Sequence, residues 1–153
     1  LLVVGTMAYD AIETPFNKVD RILGGAATYI ALASTKFSIN CGLVSVIGDD
    51  FATTDLEKLT NLGIDATGVE KVSGGKTFFW SGRYHDDMNT RTTLDTQLNV
   101  LENFTPKVPE TFKDSQVVVI GNLHPSVQKM TLEQLDSSKR FVLLDSMNFW
   151  MEH

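Results

Sequence analysis

Four short runs of this chain are dominated by apolar residues: Leu1-Leu2-Val3-Val4, residues 40–47, residues 116–121 and residues 140–145. A strand that faces water on one side alternates apolar and polar residues. Nearly unbroken apolar runs fit strands covered on both faces, as in a parallel sheet. Helical patterns stand between the runs. Residues 25–37 carry Ala26, Ala27, Ala31 and Ala33, small enough to let a helix lie close on a sheet. Thr54-Asp55-Leu56-Glu57 has capping-box spacing, Leu56, Leu59 and Leu62 recur at helical intervals, and Gly63 stands where a helix ends. A further helix opens at Pro125 or Ser126, with Val127, Met130 and Leu135 on one face. The order is βαβα, then a β insert, then βαβ, which predicts an α/β layered fold on a mainly parallel sheet.

The insert differs in kind. Residues 76–84 are aromatic and β-rich, Asp86-Asp87-Met88-Asn89 is a polar turn, and residues 91–95 and 97–101 read as further short strands. No helix separates them, so they are expected to be antiparallel and outside the main sheet. Residues 9–23 carry Pro15 and read as a loop with short exposed strands. Together these segments, at about 10–23 and 76–101, are expected to form a small β lid on one domain spanning residues 1–153.

Composition excludes some functions. The net charge is −6 with 13 Lys and Arg against 19 Asp and Glu, a poor surface for nucleic acid. No apolar run approaches the ~20 residues of a membrane span. No signal peptide is visible, although the chain starts in mid-strand without Met, and the cytoplasm is the expected location. Asn103-Phe104-Thr105 fits a glycosylation acceptor but carries little weight without a secretory signal. The single cysteine, Cys41, excludes an internal disulfide and sits in a buried-strand pattern, so it reads as an inert core thiol.

The chemistry gathers around glycines. Gly24-Gly25 opens the first helix and follows a strand-like start that carries a lone acid, Asp10. Glycine lets backbone come close to a ligand, free N–H groups at a helix start offer donors, and Asp10 can accept hydrogen bonds from a polyol. The turn Gly5-Thr6-Met7-Ala8-Tyr9 lacks the glycines of a dinucleotide fingerprint, and no P-loop pattern occurs. His85-Asp86-Asp87 reads as a polar hairpin tip rather than a metal site. Asp10, Asn122, His124, Asp145 and Asn148 all follow predicted strands, where open α/β sheets bind ligands. Each alone could merely satisfy a turn.

Gly24, Gly25, Ala27, Ala31, Ser38 and Gly48 stand at the spacings of the N-terminal pattern of the ribokinase-like (phosphofructokinase-B type) carbohydrate kinases. The resemblance extends through Val44-Ser45-Val46-Ile47-Gly48-Asp49-Asp50-Phe51, through residues 63–69 and the β insert, and to Leu143-Leu144-Asp145-Ser146-Met147-Asn148, nearly the whole chain. It departs at Tyr29, where the family has a substrate-holding Asn, and at Ala52, where a glycine is usual.

The resemblance implies a layered α/β/α fold with a small antiparallel β lid. It also implies transfer of the ATP γ-phosphate, with Mg, to a hydroxymethyl group of a sugar or nucleoside. Asp10 would bind substrate hydroxyls, Gly24 and Gly25 would allow close approach, Tyr29 could stack on a ring, and lid residues including Phe79 and Arg83 would cover the pocket. Asn122, His124, Asp145 and Asn148 complete the expected substrate site. The family's Gly-Ala-Gly-Asp segment, which carries the catalytic base and anion hole, does not occur in these residues. Its Asn-x-x-Glu motif is matched only by Asn99-Val100-Leu101-Glu102, in the lid region, which reads as coincidence. The chain therefore reads as a truncated, N-terminal substrate-and-lid portion, inactive in isolation, with the catalytic Asp beyond His153. Two alternatives stand beside it: a non-catalytic sugar- or nucleoside-binding protein, and a module that forms homodimers through the lid.

Overall fold

The computed structural model describes residues 1–151. A five-stranded sheet runs through the centre, built from β1 (Leu2–Val4), β4 (Cys41–Gly48), β5 (Ile64–Val72), β8 (Val117–Ile120) and β9 (Phe141–Leu144). Its order is β5-β4-β1-β8-β9 and every pairing is parallel. Side chains alternate across the sheet. Val44 and Val46 of β4 enter one core with Leu2, Val4, Val118 and Ile120, while Leu43 and Ile47 enter the other with Val3 and Ile64.

Helices α1 (Ala26–Thr35) and α2 (Thr53–Thr60) bear on the second core, through Ala27, Ala31 and Leu59. Helix α3 (Pro125–Glu133) and residues 104–112 cover the first, through Val127, Phe104, Val108 and Phe112. Cys41 is buried and free, and burial pushes its thiol up, which disfavours the reactive thiolate. A last short helix, α4 (Asn148–Met151), follows β9.

The second sheet has four strands in the order β3-β2-β6-β7: β3 (Lys18–Gly24), β2 (Ala8–Glu13), β6 (Phe78–Tyr84) and β7 (Arg91–Gln97). The pairs β2–β3 and β6–β7 are antiparallel hairpins, as expected. The hairpins join through β2 and β6, which run parallel because the chain crosses the main sheet between them. Two local expectations fail. Residues 97–101 do not form a separate strand: β7 runs to Gln97, and Asn99–Leu101 is a 3-10 turn. Thr54 does not cap α2, whose N-cap is Ala52 without a side-chain bond.

The lid is tied to the main sheet by a small polar knot. Thr77 Oγ1 accepts from the Gly48 N–H at 3.0 Å, and the Thr77 N–H donates to Asp50 Oδ1 at 2.7 Å. Asn99 Nδ2 donates to the Thr77 carbonyl at 2.9 Å, and Arg21 donates to the Asp50 carbonyl at 2.7 Å.

Candidate functional site

Strand β2 sends successive side chains to opposite faces of the lid sheet. Tyr9 points into the main core, stacked on Phe51 with ring centroids 5.2 Å apart. Its hydroxyl donates to Asp55 Oδ2 at 2.7 Å and accepts from the Ala52 N–H at 3.0 Å, and Arg21 lies over its ring at 3.8 Å. These contacts hold β2 in place, and the next residue, Asp10, is thereby presented on the other face. Its carboxylate lies against the backbone of Gly24: a Cβ at that position would fall 2.3 Å from Asp10 Oδ2. Among the described residues Asp10 has no hydrogen-bond or ion-pair partner, and partial burial pushes its carboxyl up. A partly desolvated carboxylate without donors is costly by itself and is suited to accept hydrogen bonds from a ligand's hydroxyl groups.

Gly25 adopts φ +95°, and a Cβ there would meet the Thr6 carbonyl oxygen at 2.3 Å. The close approach expected at the glycine pair is therefore partly made by the protein itself. The free helix-start donors are also partly consumed. Thr6 Oγ1 accepts from the Ala26 N–H and the Thr6 carbonyl accepts from Ala27 N–H, both at 3.0 Å. Behind them, Thr28 is fully buried and its Oγ1 has no partner among the described residues.

Asn122 follows β8. Its Oδ1 is buried and equally unpartnered among the described residues. The preceding Gly121 packs on the start of α1, since a Cβ there would sit 3.1 Å from Ala26 Cβ. Asn122 thus lies near the Gly25–α1 junction, where an orphan acceptor invites a ligand donor.

The other candidates follow β8 and β9. His124 is exposed and caps α3, its Nδ1 accepting from the Ser126 N–H at 3.2 Å. Its ring meets the edge of Trp150 with centroids 5.1 Å apart. Asp145 is held through its backbone, its N–H donating to the Ile120 carbonyl and its carbonyl accepting from Gln128 Nε2 at 2.8 Å, while its carboxylate is exposed. Asn148 begins α4, and its side chain lies outside what the structure describes.

Tyr29 is 54% exposed, and its hydroxyl donates to the Leu23 carbonyl at 2.9 Å, which places the ring beside the glycine pair. Phe79 and Arg83 are not brought to Asp10. In the β2–β6 register Phe79 stands opposite Tyr9 and Arg83 opposite Glu13, on the other face of the lid. Phe79 packs against the main core, and Arg83 Nε donates to Glu13 Oε1 at 2.8 Å. The residue opposite Asp10 is Trp80.

No protein-family sequence profile matches the chain. Against solved structures the likeness is broad. A *Methanocaldococcus jannaschii* nucleoside kinase, described as an archaeal member of the ribokinase family, superimposes with a TM-score of 0.73 at 20% identity, covering 94% of this chain and 51% of its own. The *Burkholderia thailandensis* nucleoside kinase in complex with inosine gives 0.73 at 18% identity, over 94% and 51%. The ADP complex of ribokinase from *Cryptococcus neoformans* gives 0.67 at 16%, over 94% and 48%. The chain has the ribokinase-like fold. It spans about half the length of these ribokinase-like structures. In sequence, inositol 3-kinase of *Arabidopsis thaliana* is 33% identical over a stretch covering 44% of this chain and 23% of that protein.

The described residues contain no group of three or more His, Cys, Asp or Glu that could hold a metal ion. Two N–H groups at the start of α1, which phosphates would use, are already bonded to Thr6. No helix among them is long and apolar enough to cross a membrane. Sequence reasoning missed Thr6, Tyr9, Trp80 and Gln128. The choice of Trp80 over Phe79 was not legible, because it needs the register that pairs residue 10 with residue 80.

Proposed function

We propose that this chain supplies the substrate pocket and lid of an ATP-dependent kinase acting on a hydroxymethyl group of a sugar or nucleoside. The observation that carries this reading is the unpartnered carboxylate of Asp10, held against a glycine that cannot be larger, in a fold shared with nucleoside kinases and ribokinase. Asp10 accepts hydrogen bonds from vicinal hydroxyls and so orients the ligand. Gly24 lets the ligand reach that carboxylate, and the orphan Asn122 Oδ1 offers a second acceptor. The lid sheet excludes water around the reacting hydroxyl, which limits wasteful hydrolysis. ATP, when bound, supplies the phosphoryl group. No Gly-Ala-Gly-Asp segment occurs among these residues to supply a catalytic base.

Steady-state phosphorylation by the intact protein tests the reading. A panel of sugars, polyols and nucleosides should contain an ATP-dependent substrate, and Asp10→Asn should lower kcat/KM for it by about 100-fold or more, the loss of a charged acceptor at a partly buried site. Absence of any phosphorylated product, or an unchanged kcat/KM in Asp10→Asn, would overturn it.

A further inference from the structure

A cleft of about 700 Å³ opens on the side of the main sheet away from α1. It lies between the outer end of β5, the turn that enters the lid at residues 74–76, and the segment 99–107. Its apolar floor is Val46, Val72, Val100 and Phe104, which belong to the first core, whereas α1 bears on the second. The Val100 N–H donates to the Lys76 carbonyl at 3.1 Å and ties the two walls together at the lid end. A cleft of this size, apolar with a few polar groups, is of the kind that takes a small ligand.

The charge of the cleft is the reverse of the molecule's, which is −6 overall. Among the described residues six lysines have a carboxylate as ion-pair partner. Lys36, Lys76 and Lys107 have none there, and two of these three line the cleft, against one acid, Glu70. An anion is therefore attracted here in spite of the acidic whole. The donors that would cradle a phosphate are missing or spent. No arginine is among the lining residues. The Gly74 N–H already donates to Asp49 Oδ2 at 2.7 Å, the Gly75 N–H to the Val72 carbonyl at 3.2 Å, and Asn99 Nδ2 to the Thr77 carbonyl at 2.9 Å. Glu70 repels a dianion more than a monoanion. What remains is an apolar floor with exposed ammonium groups at its rim.

We propose that this cleft binds a small organic monocarboxylate with an apolar body, the body lying on Val72, Val100 and Phe104 and the charge met by Lys76 and Lys107. Burial of the body supplies most of the affinity, because ion pairs with exposed lysines are screened by water. The lysines supply the choice of an acid over its neutral analogue. The site is separate from Asp10 and does not depend on the kinase reading.

Amide NMR titration of the purified protein with phenylacetate, phenylacetamide and inorganic phosphate tests this. Phenylacetate should shift the amides of Gly75, Lys76, Val100 and Phe104 saturably, and the neutral amide and phosphate should each bind about 5-fold more weakly or worse. Both lysines are exposed, so their variants should keep the native spectrum. Lys76→Gln and Lys107→Gln should each weaken phenylacetate by about 2-fold or more, and the double variant by about 5-fold. Lys76→Arg, which keeps the charge, should bind as wild type does. The carboxylate site is overturned by an absence of saturable shifts at these residues, by phenylacetamide binding as tightly as phenylacetate, or by unchanged affinity in the double variant. Phosphate binding as tightly as phenylacetate would overturn the ligand class.

Discussion

Strand β4 is buried at all eight of its positions, whereas β7 is exposed at all seven. The two lie in sheets of similar size within one small protein, yet different physics holds them. The centre of the main sheet is sandwiched between two apolar layers, and β1 and β4 are apolar on both faces because both faces are dry, whereas β5 and β9 at the edges are largely exposed. The lid sheet has one face partly docked through Tyr9 and Phe79, and another carrying Asp10, Trp80 and a polar hairpin. It is held by countable contacts: Tyr9 with Asp55 and Ala52, Arg21 with Asp50, and Thr77 with Gly48. The lesson is a division of labour. Burial holds the frame rigid, while a weakly buried sheet can carry unpaired polar groups and move over a ligand.

Leu43→Ala strikes the frame at a fully buried position and should have the largest effect, a loss of about 2–5 kcal/mol, read as a lower Tm for the whole molecule. Tyr9→Phe strikes the anchor between the two regions. It leaves the Ala52 N–H and the Asp55 carboxylate without the hydroxyl, at about 1–2 kcal/mol. Hydrogen exchange should then quicken in β2 while β4 stays protected. Equal loss of protection in both strands would break the distinction between frame and lid.

Asp10→Asn should act in the opposite sense on stability. Because burial raises the Asp10 carboxyl, the native state binds more protons than the unfolded chain between the ordinary carboxylate range and the raised value. Stability contributed by Asp10 is therefore lost as pH rises through that window. Asp10→Asn should flatten this slope and leave the protein at least as stable at neutral pH, measured by Tm against pH, while ligand binding falls. The smallest effect belongs to Arg83→Ala. Its ion pair with Glu13 is half exposed, so less than about 1 kcal/mol should be lost, with no change in ligand affinity. A large affinity loss in Arg83→Ala would assign that residue to the ligand in spite of its place opposite Glu13.

Much of the frame was legible because its signals are local. Runs of Val, Leu and Ile mark strands dry on both sides, and the small residues of α1 mark a close helix. The placement of Asp10 and Gly24 followed from residue type, since a lone acid and a glycine pair have few other reasons to flank a helix start. The expected donors there were overstated because Thr6 lies 20 residues upstream of the helix nitrogen it caps. That His124 caps α3 depends on side-chain rotation rather than on spacing.

The amino-acid sequence by itself determined the layered α/β class, the β insert and the acid beside two glycines, because periodicity and residue chemistry act within a few neighbours. Tertiary structure alone decided that β2 and β6 pair in parallel, that Trp80 rather than Phe79 shares a face with Asp10, and that Thr6 occupies the helix start. Register between strands about 70 residues apart is set by the whole packed core, and a slip of one position would exchange the two faces.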